Sequence, residues 1–144
     1  MRIVSFQVDT LVGPFTRLGA LWKDCVLDLN FACAARLAAH GRPAAQKLAD
    51  TLLPPDAVAF LELGGSALDE ARLALEFVSG QIDSQSTPAG PRGERIVHGA
   101  GIVKLLPPLQ PRSLRDFFAY EDHALQAASR SGSQLSEKWY EHPP

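Results

Sequence analysis

Two apolar runs, Leu18-Gly19-Ala20-Leu21-Trp22 and Cys25-Val26-Leu27-Asp28-Leu29, flank the polar pair Lys23-Asp24. Short apolar runs on either side of a two-residue polar break read as a β-hairpin, which commits the front of the chain to antiparallel sheet. Lys-Asp is a poorer turn pair than Asn-Gly, so the turn type stays open. Upstream, Ile3, Val4 and Phe6 precede the turn signal Gly13-Pro14 and read as another strand.

The pattern then changes to helical. Asn30 is placed to cap a helix through Ala34, Ala35, Leu37 and Ala38, and Gly41 stops it. Pro43 suits the first turn of a second helix carrying Ala45, Leu48, Ala49 and Leu52. Pro54-Pro55 ends that helix and opens a short one from Val58 to Leu63, which Gly64-Gly65 stops. Ser66-Ala67-Leu68-Asp69 has the form of a capping box. Behind it Leu68, Ala71, Leu75 and Val78 share one helical stripe that ends at Gly80. Ser, Thr, Pro and Gly then dominate 81–95, a loop or linker. Ile96-Val97-His98 and Gly101–Leu106 read as strands. Pro107, Pro108 and Pro111 bound an extended passage, and a last helix is expected from Ser113 through Ala128.

The fold class read from these elements is α+β: a small N-terminal sheet with helices, then a strand and a helix of an incomplete second domain. The expected partition is 1–80, a linker at 81–95, and 96–144. A chain of 144 residues with 46% hydrophobic and 21% charged residues is long enough to bury a core and is not disordered in composition. Its net charge of -2 argues against nucleic acid as a partner. No apolar run is long enough to span a bilayer, and the N-terminus lacks a signal-peptide core. Two cysteines, Cys25 and Cys33, are too few for a disulfide framework, and the expected compartment is the cytoplasm.

Asp116 and His123, seven residues apart on the last predicted helix, would return to within about 20° of one another, about 10.5 Å apart along the axis. An oxygen ligand and a base on one face could work on one metal-bound substrate. Asp116 equally fits a capping box with Ser113, and His123 a polar surface position. Phe117, Phe118 and Tyr120 read as core. His40, His98 and His142 lack partners at metal-ligand spacing. Gly99-Ala100-Gly101 is too short for a dinucleotide loop. Arg92, Arg95 and Lys104 read as solvated charges.

Lys104-Leu105-Leu106-Pro107-Pro108-Leu109, then Arg115-Asp116-Phe117-Phe118-Ala119-Tyr120-Glu121-Asp122-His123, then Trp139-Tyr140-Glu141, resemble the fumarylacetoacetate hydrolase family at its entry into the catalytic domain. More loosely, Leu18–Leu21 and Val26–Leu29 resemble its leading domain. The resemblance makes 96–144 the start of a truncated catalytic domain. It implies a metal-dependent enzyme on 2-oxo or 1,3-dicarbonyl acids, a chemistry used in aromatic compound catabolism. Members hydrolyse carbon–carbon bonds, decarboxylate, hydrate or isomerise, with Mg²⁺, Mn²⁺ or Ca²⁺ held by carboxylates.

On this resemblance Asp116 is a metal ligand, His123 activates water, and Phe118 lines the substrate pocket in place of a tyrosine. Gln126 stands where shorter members have a glutamate. The family's Glu-x-Glu metal pair, its later aspartate and its lysine are not in this sequence. Hard divalent ions need about six oxygens, so the chain alone is expected to bind metal weakly and to be inactive. A complementary catalytic chain or a homodimer is the expected partner. The exposed aromatic residues of the last segment favour association. The alternatives are a non-catalytic structural or interaction domain that assembles with a family enzyme, and an unrelated small binding protein.

Overall fold

A computed structural model of the protein describes residues 1–115 and 120–141. The chain divides into two compact units, Met1–Gln110 and Pro111–Pro144.

The first unit is a five-stranded antiparallel sheet with four helices, among the described residues. Strands β1 (Arg2–Thr10), β2 (Gly13–Trp22) and β3 (Cys25–Asp28) are followed by helices α1 (Leu29–Ala39), α2 (Ala45–Leu52), α3 (Ala57–Glu62) and α4 (Gly65–Asp83), then β4 (Val97–Gly99) and β5 (Lys104–Leu106). The order across the sheet is β4-β3-β2-β1-β5. The expected hairpin is present: Trp22 pairs with Cys25 across Lys23-Asp24, with Lys23 at φ 51°. The β1–β2 turn closes at Thr10 opposite Gly13, whose φ of 118° suits glycine.

One face of the sheet carries the main core. Leu18, Ala20 and Leu27 pack with Ala32, Cys33 and Ala71 from the helices. The buried stripe of α4 is Ala67, Ala71, Ala74 and Val78: Ala71 and Val78 are buried as expected, while Ala67 and Ala74 take the places expected of Leu68 and Leu75, which are half-buried beside them. Alanines face the core because small side chains let helices approach closely, and α1 and α4 are direct neighbours.

Several local expectations are corrected. Asp28, not Asn30, caps α1; its carboxylate accepts the Phe31 amide at 3.0 Å. Ser66 does not form a capping box, because α4 begins at Gly65 and has no side-chain cap; Gly64 precedes it at φ 63°. Gly80 does not end α4, which continues to Asp83. The 81–95 stretch is partly built into the unit, with Ala89 bridging Arg95.

The expected boundary before residue 96 also moves. β4 pairs with β3 and β5 pairs with β1, so both strands complete the N-terminal sheet and the first unit runs to Gln110. Strand pairing is long-range, and a strand's own residues do not say which sheet will accept it.

In the second unit, the continuous helix expected from Ser113 is not formed. Leu114 and Arg115 are non-helical, Tyr120 is extended at φ -100° and ψ 120°, and α5 spans Glu121–Arg130. Glu121 and Asp122 put negative charge in its first turn, where the helix dipole favours it. Gly132 at φ 68° lets the Ser133 amide return to the Ala128 carbonyl at 2.9 Å, closing the helix. Helix α6 covers Glu137–Glu141, and Tyr140 donates to Glu121 at 2.8 Å. Among the described residues, no helix is long and apolar enough to cross a membrane.

Candidate functional site

Two of the three residues singled out by the resemblance, Asp116 and Phe118, lie outside the described residues. His123 is exposed near the start of α5. Tyr120 is extended and α5 begins only at Glu121, so no single helix runs from the position of Asp116 to His123. Among the described residues there is no group of three or more His, Cys, Asp or Glu that could hold a metal ion. The described donor set therefore does not fit Mg²⁺, Mn²⁺ or Ca²⁺.

The chemistry that the structure does assemble lies on the other face of the sheet. Side chains alternate along a strand, so Phe6, Arg17, Gly19, Val26, Asp28 and His98 point away from Leu18, Ala20 and Leu27. Phe6 lies across Gly19, where a Cβ would come within 2.9 Å of its ring and 2.6 Å of Val26. The bare glycine allows Phe6 and His98 to meet at 5.2 Å between ring centroids.

Beside this contact is a cleft of about 310 Å³ bordered by Val8, Phe15, Arg17, Phe31, Arg95 and His98. A second cleft adjoins it and shares Val8, Arg95 and His98. The walls of the first are mostly apolar.

The floor of the cleft is a closed polar network. Arg17 grips Asp28 through two hydrogen bonds, Nε to Oδ2 at 2.7 Å and Nη2 to Oδ1 at 2.9 Å. The Asp28 side chain is 1% exposed and that of Arg17 15%. Arg17 Nη2 also reaches Asn30 Oδ1 at 3.2 Å, and its guanidinium stacks 3.8 Å from the Phe31 ring centroid. Asn30 passes the network on, donating to Asp50 at 3.1 Å and to the Leu53 carbonyl at 3.0 Å. A buried charge pair persists only where its remaining donors and acceptors are satisfied, and Asp28 meets that condition through Arg17 and the helix amide.

His98 is 8% exposed, and its Nε2 lies 3.2 Å from the Arg95 carbonyl oxygen. Burial pushes it below the ordinary histidine value, and the nearby Arg95 and Arg17 charges act in the same direction. The charge of Asp28 and the Arg95 carbonyl oppose this without reversing it. Burial of Glu94 opposes its ionisation, but bonds from the Arg92 amide and guanidinium hold it below the usual range.

A second polar group links α1 to α4, where Arg36 pairs with Glu70 beside Cys33. Burial pushes the Cys33 thiol up and the charge of Glu70 adds to it, against Arg36. A raised, buried thiol is a poor nucleophile, so Cys33 belongs to the core.

The Arg17–Asp28–His98 constellation was not legible in the sequence. Its members sit on three strands, and Arg95, which reads as a solvated charge, borders the cleft. The one available signal was Gly19 inside an apolar strand, which marks a close approach of other groups. No family model, curated protein or solved structure matches this chain.

Proposed function

We propose that the chain is the N-terminal portion of a fumarylacetoacetate hydrolase-like, metal-dependent enzyme acting on 2-oxo or 1,3-dicarbonyl acids. In this reading the first unit is the leading module and the second begins the catalytic part. The observation that carries the reading is the run from Lys104 to His123, which starts in the last strand of the first unit and crosses into the second. His123 is exposed, as a residue that must meet substrate or a partner would be. Metal ligation and turnover then need carboxylates outside these 144 residues. Cys25 and Cys33 are free thiols, which fits a reducing cytoplasm.

The test is complementation. The chain, with Mg²⁺ or Mn²⁺ and an acylpyruvate as a 1,3-dicarbonyl acid, is assayed alone and with a family catalytic chain that carries the Glu-x-Glu pair. The expected result is no turnover alone and turnover in the mixture, lost in His123→Ala. No turnover in the mixture overturns the reading, and turnover by the chain alone overturns its dependence on added carboxylates.

A second reading is a non-catalytic module that assembles with such an enzyme. It is favoured by the first unit having its own buried core, from Leu18 to Ile96. Tight association without His123-dependent turnover in the same mixture selects it. Exposed Leu114, Tyr120 and Leu125 in the second unit support self-association under either reading. Sedimentation as a monomer across a wide concentration range would remove that support.

A further inference from the structure

We infer that the cleft beside His98 binds a small organic monocarboxylate with a flat apolar body, its carboxylate on Arg95 and Arg17 and its body against Phe15 and Phe31. The inference rests on the first unit alone and stands or falls independently of the enzyme reading. A volume of about 310 Å³ falls at the lower end of small-molecule sites, and a mostly apolar wall with a few polar groups is their usual make-up.

The charge balance selects the ligand class. Two carboxylates border the cleft, Asp28 and Glu94, and both are already occupied. Asp28 Oδ1 takes Arg17 Nη2 and the Phe31 amide, and Oδ2 takes Arg17 Nε. Glu94 Oε1 takes Arg92 Nε at 2.8 Å, and Oε2 takes the Arg92 amide at 2.8 Å. Neither has an oxygen left without a donor to attract a cation.

The donors, by contrast, are in surplus. Among the described residues, Arg95 makes no ion pair. Arg17 uses Nε and Nη2, while Nη1 has no acceptor among the described residues. Its orientation is already fixed by Asp28, so little freedom is lost when it engages an anion. Lys104 borders the adjoining cleft and adds a positive charge, against Asp9 on the same wall. A guanidinium matches the planar geometry of a carboxylate; the exposed Phe15 offers a ring to a flat body, and the half-buried Phe31, already stacked by Arg17, borders the same cleft.

Benzoate is the probe, titrated into the ¹⁵N-labelled full chain, with benzamide as the uncharged isostere and inorganic phosphate as an anion without an apolar body. Benzoate is expected to shift the amides of Val8, Phe15, Phe31 and His98 saturably at millimolar concentration. Benzamide and phosphate are expected to bind at least about tenfold more weakly. Arg95→Gln should weaken benzoate by about tenfold, while Arg95→Lys keeps part of the affinity.

Arg95 is exposed, so both variants should melt close to the parent, which separates loss of binding from loss of fold. The Phe15→Ala variant reads the apolar wall separately. The inference is overturned if benzoate produces no saturable shift at those amides, if benzamide or phosphate matches it, or if Arg95→Gln binds as the parent does.

Discussion

The sheet of the first unit has two unlike faces. Toward the helices, Leu18, Ala20 and Leu27 meet Ala32, Cys33, Ala67 and Ala71, all apolar and mostly small. Away from the helices, Phe6 and Val26 share the surface with Arg17, Asp28 and His98. The first face is closed where α1 and α4 cover it, because small side chains let the helices approach closely. The second combines a glycine, two rings and a charge pair, and a cleft stays open beside them. Polar groups on such a face must be paired to be tolerated, and that pairing fixes where the remaining donors are held.

The largest expected effect breaks the polar face. Asp28→Ala removes both oxygens that hold Arg17 and the cap of α1. A broken buried pair costs about 3–5 kcal/mol, so the denaturant midpoint should fall by that equivalent. A loss within about 0.5 kcal/mol, the size of an ordinary surface change, would mean that the pair contributes nothing to the fold.

A smaller effect sharpens the comparison at the position between Phe6 and Val26. Gly19→Ala places a methyl 2.6 Å from Val26 Cγ1 and 2.9 Å from Phe6, with the Leu27 carbonyl at 3.0 Å. Overpacking of this kind costs about 1–3 kcal/mol. It should also move the His98 ring resonances, because Phe6 can no longer lie across the glycine. Unmoved His98 signals in a destabilised variant would separate the two sides of this contact.

The smallest effect is the response to pH. The folded chain holds His98 below the ordinary value of 6.5, chiefly through burial, with Arg95 and Arg17 adding to it and Asp28 opposing. Between the two values the unfolded chain binds a proton that the folded chain refuses. Stability linked to neutral His98 is therefore fully present above pH 6.5 and is lost as pH falls through the folded value. Unfolding midpoints of the parent and of His98→Gln should converge or cross as pH falls below 6.5. Parallel lines would show that His98 carries none of the acid sensitivity.

What could be read from the sequence follows the same division. The Lys23-Asp24 hairpin, the first helix with its stop at Gly41, and the short helix behind Pro54-Pro55 were legible because each depends on neighbours in the chain. Where two polar residues compete the cap is not decided locally: Asp28 and Asn30 both suit an N-cap, and the Asp50 and Leu53 partners of Asn30 are distant in sequence. The last helix is shorter than its sequence pattern suggests, because a helical pattern does not reveal an extended residue such as Tyr120. Beyond the glycine at position 19, the candidate site has no local signal, since Arg17, Asp28 and His98 come from three strands.

The sequence by itself determined the α+β class, the antiparallel front and the helical middle, because propensity, periodicity and turn chemistry act over a few residues. Only the tertiary structure decided that β4 and β5 belong to the first sheet, that the unit runs to Gln110, and that the spare donors of Arg17 and Arg95 border one cleft. Those outcomes depend on strand pairing and on which charges find partners. Both are set by groups far apart in the chain and brought together only when the sheet closes.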